Sequence, residues 1–170
     1  MKNILPILFS LLFLLGLVTS SYSQNVTVKV KEGSLDEILS GRRSALVDRL
    51  RHYEEALNDR DLGRLYKLLP LSKRSEYGQD YFSNTKFNTL GQTQSITIVE
   101  AFLDSDPVEE TGKQSVERWH IRGCAEIADK KGKIGLHSVS FSVLFLDDIW
   151  YIESSGRPVG NNKPDFCAPR

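Results

Sequence analysis

The sequence predicts an α+β fold in which helices pack on one face of an antiparallel sheet. Two observations lead to this prediction. Apolar residues recur at helical spacing as far as residue 82, whereas from residue 95 onward they alternate with polar residues. The alternating segments follow one another through short turns, as in an antiparallel meander, so helices and strands are segregated along the chain. A length of 170 residues fits a single domain.

The first 23 residues have the pattern of a cleavable signal peptide. Lys2 precedes an apolar run over residues 4–18, and the small residues Ser21 and Ser23 follow it. The run is shorter than the roughly 20 residues of a membrane-spanning helix. We therefore predict cleavage after Ser23 and a secreted or periplasmic protein that does not stay in the membrane. An uncleaved anchor is the alternative.

Residues 24–43 are predicted to form an N-terminal arm and a short helix. The segment "NVTVKVK" alternates valines with polar residues, so it is either an edge strand or an extended arm. In "SLDE", Ser34 and Glu37 have the spacing of a capping box, which predicts a helix start with a break at Gly41.

Three further helical segments follow. From Ser44 to the "NDRD" segment, one stripe is apolar and the charged residues Arg49, Glu54 and Glu55 lie off it. Asp61 is a suitable N-cap for a second helix that Pro70 ends, and a third is predicted over residues 72–82. The apolar stripe of the first helix consists of Leu46, Val47, Leu50, Tyr53, Ala56 and Leu57.

Four strands complete the predicted domain: "SITIVEAFLDS", "SVERWHIRGCAEIADK", "LHSVSFSVLFL" and "IWYIES". A two-residue turn at Asp147 and Asp148 would pair Phe145 with Trp150. That register defines a core face that contains Val139, Phe141, Val143, Phe145, Trp150 and Ile152, continued by Trp119, Ile121, Ala125 and Ile127.

The opposite face of these strands, called the outer face below, is apolar at one end, where it carries Leu144, Leu146 and Tyr151. A homodimer contact or a cover by the irregular C-terminal tail, residues 154–170, would account for it. Cys124 lies on this face, and in an exported protein a disulfide with Cys167 is favoured over two unpaired thiols. Such a bridge would lay the tail across the outer face.

Charge and motifs exclude several functional classes. The chain has 22 basic and 22 acidic residues, and loss of Lys2 leaves 21 against 22, a net charge of −1. This balance gives no long-range field for nucleic acid. The two cysteines and three histidines show no metal-ligand spacing, and no Gly-rich phosphate loop or serine-nucleophile motif occurs. We therefore expect no metal and no cofactor.

The segments "YEEALNDRDLGRLYKLLP", "SKRSEYGQDYF" and "VLFLDDIWYIES" resemble the nuclear transport factor 2-like superfamily. The resemblance covers residues 44–153. It implies a cystatin-like cone, in which a strongly bent antiparallel sheet wraps around N-terminal helices and leaves a pocket at its open end. The superfamily contains ketosteroid isomerases, polyketide cyclases, ligand carriers and interaction modules, so the fold alone does not give the function.

The resemblance implies one catalytic position directly. Tyr53, three residues before Ala56, matches the tyrosine that polarises the substrate in the isomerases. The two partner acids have no counterpart in "LSKRSEYGQD" or "SVSFSVLF". Tyr53 is therefore more readily a core residue, and His137, on the inward face, could act as a base or be a half-exposed histidine. The residues expected to line the pocket are Tyr53, Trp119, His137, Phe141 and Trp150.

The sequence thus favours a non-catalytic protein that binds a small apolar ligand or a protein partner. The alternative is an acid–base enzyme of the ketosteroid isomerase or polyketide cyclase type that uses Tyr53 and His137 on a hydrophobic substrate.

Overall fold

A computed structural model describes residues 25–77, 91–105, 108–110, 113–156 and 167. The predicted α+β class is confirmed, with three helices followed by most of the strands. The helices are α1 (Ser40–Asp59), α2 (Leu62–Leu68) and α3 (Leu71–Tyr77). The strands are β1 (Thr27–Val30), β2 (Gln92–Leu103), β3 (Val108–Glu110), β4 (Lys113–Ala128), β5 (Ile134–Leu146) and β6 (Ile149–Gly156).

The sheet is mixed, so the prediction of a wholly antiparallel sheet is wrong for one strand. Its order is β1-β2-β4-β5-β6, and β3 pairs with β4 outside this path. The pairs formed by β2, β4, β5 and β6 are antiparallel, but β1 runs parallel to β2, with Thr27 opposite Ser95. A parallel pair needs a long crossover, and the helices between β1 and β2 provide it.

The start of α1 differs from the prediction. The helix begins at Ser40, so Gly41 lies in its first turn and does not break it. Residues 32–38 form turns instead of the predicted short helix. The Ser34 hydroxyl donates a 2.6 Å hydrogen bond to the Lys31 carbonyl, which stabilises a turn in place of a helix cap.

The boundaries of α2 follow the predicted signals. The Asp61 carboxylate accepts a hydrogen bond from the Arg64 backbone N–H at 2.9 Å, which confirms Asp61 as the N-cap. The helix α3 is described as far as Tyr77, and its predicted continuation to residue 82 lies outside the described residues. Of the helices in the described part, none has the length and apolar composition needed to cross a membrane. The predicted signal peptide also lies outside this part.

The predicted hairpin and core face are confirmed. Asp147 and Asp148 both adopt left-handed backbone conformations, with φ of 50° and 60°, as a type I′ turn requires. Phe145 therefore pairs with Trp150 and Leu146 with Ile149. The core lies between α1 and this face and includes Leu46, Leu50, Tyr53, Ile96, Ile98, Trp119, Ile121, Phe141, Val143, Phe145, Trp150 and Ile152.

Two acidic residues of α1 are buried, although the apolar stripe placed them on the solvent side. The Glu54 carboxylate accepts a 2.7 Å hydrogen bond from the Thr93 hydroxyl of β2, and Glu55 forms a 3.3 Å ion pair with Arg64 of α2. The helix contacts the sheet on one side and α2 on another, so more than its apolar stripe is covered.

The disulfide between Cys124 and Cys167 is confirmed, with the two Cα atoms 5.6 Å apart. Cys124 lies on the outer face of β4, opposite Ser138 of β5, and both cysteines are buried. The bridge therefore fixes the chain near its C-terminus to the outer face of the central strand.

Candidate functional site

Four of the five residues predicted to bind a ligand are packed into the core. Tyr53, Trp119, Phe141 and Trp150 are each at most 9% exposed, and the rings of Tyr53 and Phe141 meet edge to face with centroids 6.2 Å apart. The five lie along the core face and not around one point. From Phe145, which pairs with Trp150, to His137 is eight residues of β5, or about 26 Å. Their role in ligand binding stays a prediction.

Tyr53 and His137 reach different stretches of that face. The Tyr53 hydroxyl and the Ser155 hydroxyl form a 2.8 Å hydrogen bond. His137 lies opposite Ala125 and is partly buried. It is four residues along β5 from Phe141, the residue that the Tyr53 ring contacts, a separation of about 13 Å. The Tyr53 hydroxyl is therefore paired with Ser155 of β6, and His137 lies elsewhere on the core face.

A bulge in β6 makes the contact between Tyr53 and Ser155. Val143 pairs with Ile152, but Ser142 pairs with Ser154, so Glu153 is an extra residue on β6. The extra residue reverses the alternation of side chains beyond it, and Ser155 turns toward α1. Counting strand parity from Trp150 would place Ser155 on the outer face.

We expect Tyr53→Phe to lower the free energy of unfolding by about 1 kcal/mol, because it removes one partly buried hydrogen bond and keeps the ring contact with Phe141. Urea unfolding measures the change. Ser155→Ala is the matched variant, and the double variant should cost no more than either single one. Additive losses would contradict the pairing.

The outer face is covered at the site of the predicted dimer contact. Leu144 is only 1% exposed within the single chain, so it has no surface to offer a second copy. Leu146 and Tyr151 are partly exposed, and the homodimer prediction now depends on them alone.

A charged network lies beside Leu144. Arg118 forms two 2.9 Å hydrogen bonds with the Glu153 carboxylate, which also accepts from the Ser142 hydroxyl at 2.8 Å. The Asp104 carboxylate lies 3.6 Å from Arg118 and 3.2 Å from the His120 ring. The hydrogen bond to Glu153 is the main reason that the pKa of Arg118 is raised. These groups satisfy one another, as expected of a structural network.

A depression of about 340 Å³ lies near the N-terminal end of α1, and we call it the Leu39–Leu103 depression. The nearly buried Ile38 and Trp119 lie at its base. Leu39 and Leu103 are 65% and 49% exposed, respectively, so two large apolar side chains of its lining are accessible to solvent. The lining residues are Glu37, Ile38, Leu39, Arg42, Leu103, Glu117 and Trp119.

Three of the polar groups around this depression, on Arg42, Glu117 and Trp119, interact with one another. Glu117 accepts hydrogen bonds from the Arg42 guanidinium and from the Trp119 indole, both at 3.1 Å. The Arg42 guanidinium also lies 4.0 Å from the centre of the Phe145 ring. The Trp150 indole donates to the Arg42 carbonyl at 3.1 Å, which fixes the start of α1. Arg42 and Glu117 therefore neutralise each other, and the carboxylate of Glu37 is on an exposed residue. The apolar lining residues can accept an apolar group.

Among the residues that line this depression, only Trp119 was predicted to be a site residue. Leu39 follows the turn segment and Leu103 ends β2, and the tertiary fold brings them together. Within the described residues, no group of three or more histidine, cysteine, aspartate or glutamate side chains could hold a metal ion.

Comparison with known proteins identifies no family. No family model matches the chain, and no curated protein matches it. A solved structure that it resembles is the intermembrane space region of chloroplast protein ARC6, with a TM-score of 0.33 and 14% identity over 70% of this chain and 96% of that one. A similarity this low carries no inference about fold or function.

Proposed function

We propose that this is an exported, non-catalytic binding protein that receives an apolar side chain of a protein partner in the Leu39–Leu103 depression. The observation that carries the proposal is the exposure of the two leucines around the buried Trp119. Adjacent exposed apolar residues beside a concave surface are typical of interaction sites.

The position of the leucines favours a protein over a small ligand. A small molecule in the depression would cover its base of Ile38 and Trp119 and leave the outer parts of Leu39 and Leu103 in water. A protein surface would bury the rim as well, with the paired Arg42 and Glu117 at its polar edge.

Leu39 also violates a local rule of helix formation. It occupies the N-cap position of α1 and forms no side-chain cap hydrogen bond. Leucine is among the poorest N-cap residues, since its side chain cannot accept from the first free N–H groups. Locally unfavourable residues without a packing benefit are expected at functional sites. A binding role for Leu39 explains why an exposed leucine stands there.

We also propose that the chain adopts the nuclear transport factor 2-like cone. It is supported by α1 on the core face and by the register shifts in β2 and β6, since such bulges bend strands. Export is supported by the apolar N-terminal run and by the disulfide, which is stable in an oxidising compartment. The enzymatic alternative would use Tyr53, but its hydroxyl is already hydrogen-bonded to Ser155. No observation favours this alternative.

The proposal can be tested by site-specific photo-cross-linking. A photo-reactive phenylalanine analogue replaces Glu37, which lines the depression, and irradiation is carried out in the cells that make the protein. We expect one discrete cross-linked protein, and we expect Leu103→Glu to abolish it. The analogue at Ile134, which is exposed at the start of β5, is the matched control and should not give the product.

Each other outcome counts against this proposal. The same products from Glu37 and Ile134 would mean nonspecific contact. A product of twice the chain mass would make the occupant a second copy. If native mass spectrometry finds a small molecule that Leu103→Glu releases, the depression is a ligand site and the partner proposal fails.

The N-cap position of Leu39 leads to a separate prediction. Leu39→Asp should raise the free energy of unfolding by about 1 kcal/mol, because the carboxylate can accept from the free N–H groups of α1 and little apolar area is lost. The same variant should lose the Glu37 cross-link. Urea unfolding and the cross-linking yield measure the two effects, and a less stable Leu39→Asp protein would give Leu39 a structural role instead.

A further inference from the structure

Two arginines and two tyrosines meet at the edge strand β6, away from the Leu39–Leu103 depression. The Arg74 guanidinium of α3 lies 5.9 Å from the ring centres of both Tyr66 of α2 and Tyr151 of β6. Arg49 of α1 interacts electrostatically with Tyr151 and Arg74. We call these four residues the Arg49–Arg74 cluster.

The spacing along α1 independently places Arg49 at this edge. Arg42, Leu46, Arg49 and Tyr53 follow one another by four, three and four residues, so they share one side of the helix. The prediction that Arg49 lies off the apolar stripe is therefore wrong. Arg42 contacts Phe145 near the turn of the β5–β6 hairpin, and the Tyr53 hydroxyl is hydrogen-bonded to the Ser155 hydroxyl near the end of β6. Arg49 therefore lies between these two contacts, beside β6, where it is partly buried.

Arg49 differs from the other arginines of α1 because none of the described carboxylates pairs with it. Arg42, Arg43 and Arg51 of the same helix form ion pairs with Glu117, Asp36 and Asp48. Within the described part of the chain, no hydrogen bond or ion pair is formed by Arg49. Burial is the main reason that its pKa is lowered, Tyr151 raises it, and repulsion from Arg74 lowers it again.

Arg74 is held in place without being neutralised. Its Nε and Nη2 atoms donate to the Leu69 and Lys67 carbonyls at 2.8 and 2.7 Å, and no described carboxylate pairs with it. Tyr66 donates to the Arg74 carbonyl at 3.2 Å, whereas the Tyr151 hydroxyl has no hydrogen bond within the described residues. The cluster thus combines two cations with a phenol that is available as a donor.

We propose that the Arg49–Arg74 cluster binds a phosphate-type oxyanion between the two guanidinium groups. Planar guanidinium groups match the geometry of such oxyanions, and the Tyr151 hydroxyl would add a third donor. A partly buried guanidinium without a partner is unfavourable, so an anion at this point satisfies Arg49 and removes its repulsion from Arg74. The oxyanion is either free phosphate or the phosphate of a lipid headgroup.

The test measures how much inorganic phosphate stabilises the full-length protein. Thermal unfolding is followed as phosphate replaces chloride at constant ionic strength, and we expect a saturable rise in Tm. Arg49→Met and Arg74→Met should each lower the phosphate affinity about tenfold or more, since each loses charge-assisted hydrogen bonds. Arg51→Met is the matched control, because Arg51 is paired with Asp48, and it should keep the full response.

A second readout separates binding from a structural role. In buffer without phosphate, Arg49→Met should be as stable as the unmodified chain or more stable, because an unpaired charge has been removed. A less stable Arg49→Met protein that keeps its phosphate response would overturn the proposal.

A third measurement distinguishes the two sources of phosphate. Flotation with phosphatidylglycerol vesicles, compared with phosphatidylcholine vesicles, tests the headgroup. Vesicle binding that Arg49→Met abolishes, without a response to inorganic phosphate, supports the cluster as a headgroup site. The absence of a saturable response to either probe overturns the proposal.

Discussion

Trp150→Ala is expected to lower the free energy of unfolding by about 3–5 kcal/mol. Trp150 is 2% exposed, and its ring lies 4.7 Å from that of Phe145, centre to centre. It connects β6 with both β5 and the first turn of α1, so truncation leaves a large cavity where three elements meet. Urea unfolding with an unchanged m value would measure the loss.

Ile149→Ala is the matched control, because Ile149 precedes Trp150 on the same strand and is 41% exposed. We expect it to change the stability by about 0.5 kcal/mol or less. If the two variants cost the same, the indole does not lie in the core and the register of the β5–β6 hairpin is wrong.

Removal of the disulfide should have the second large effect. The bridge closes a loop of 43 residues, and loss of that constraint on the unfolded chain costs about 4 kcal/mol. Guanidinium unfolding of the double variant Cys124→Ser, Cys167→Ser measures the loss.

Reductant provides the control for this prediction. It should lower the stability of the unmodified chain to that of the double variant and leave the double variant unchanged. An unmodified chain that does not respond to complete reduction would show that the bridge adds nothing to stability.

The parts of the fold that could be predicted depend on interactions between residues that are close together in the sequence. The turn at Asp147 and Asp148 determines which residues of β5 and β6 face each other, and simple alternation then gives the core face as far as Ile152. The N-cap at Asp61 depends on contacts within one helical turn. Such features need no knowledge of distant segments, so sequence patterns are sufficient for them.

Three features that a pattern along one segment did not reveal depend on a second element that covers that segment or pairs with it. Glu54 lies off the apolar stripe of α1, yet Thr93 of β2 contacts it. Leu144 lies on the outer face, yet it is buried within one chain. The parallel pairing of β1 likewise depends on the path of the chain through the helices. A pattern along one segment contains no information about these contacts.

The candidate site was only partly predictable for the same reason. Trp119 could be identified as an inward-facing aromatic residue of β4, but its neighbours Leu39 and Leu103 are distant in sequence. Leu39 gave no signal at the sequence level, because the predicted helix began at Ser34, and only the structure places Leu39 at the N-cap of α1. Arg49 gave no local signal, because only the folded structure shows that no described carboxylate pairs with it while Arg42, Arg43 and Arg51 have acidic partners.

The extra residue in β6 has a consequence for changes in chain length. Deleting Glu153 should leave the hairpin and the pairs from Leu146 to Val143 in place, since they precede the bulge. Alternation would then be regular, Ser154 and Ser155 would keep their pairs with Ser142 and Phe141, and Ser155 would still face Tyr53. A one-residue deletion in the Asp147–Asp148 turn would instead shift the register of the whole strand. Natural variation in length should therefore be tolerated near residue 153 and excluded from the turn.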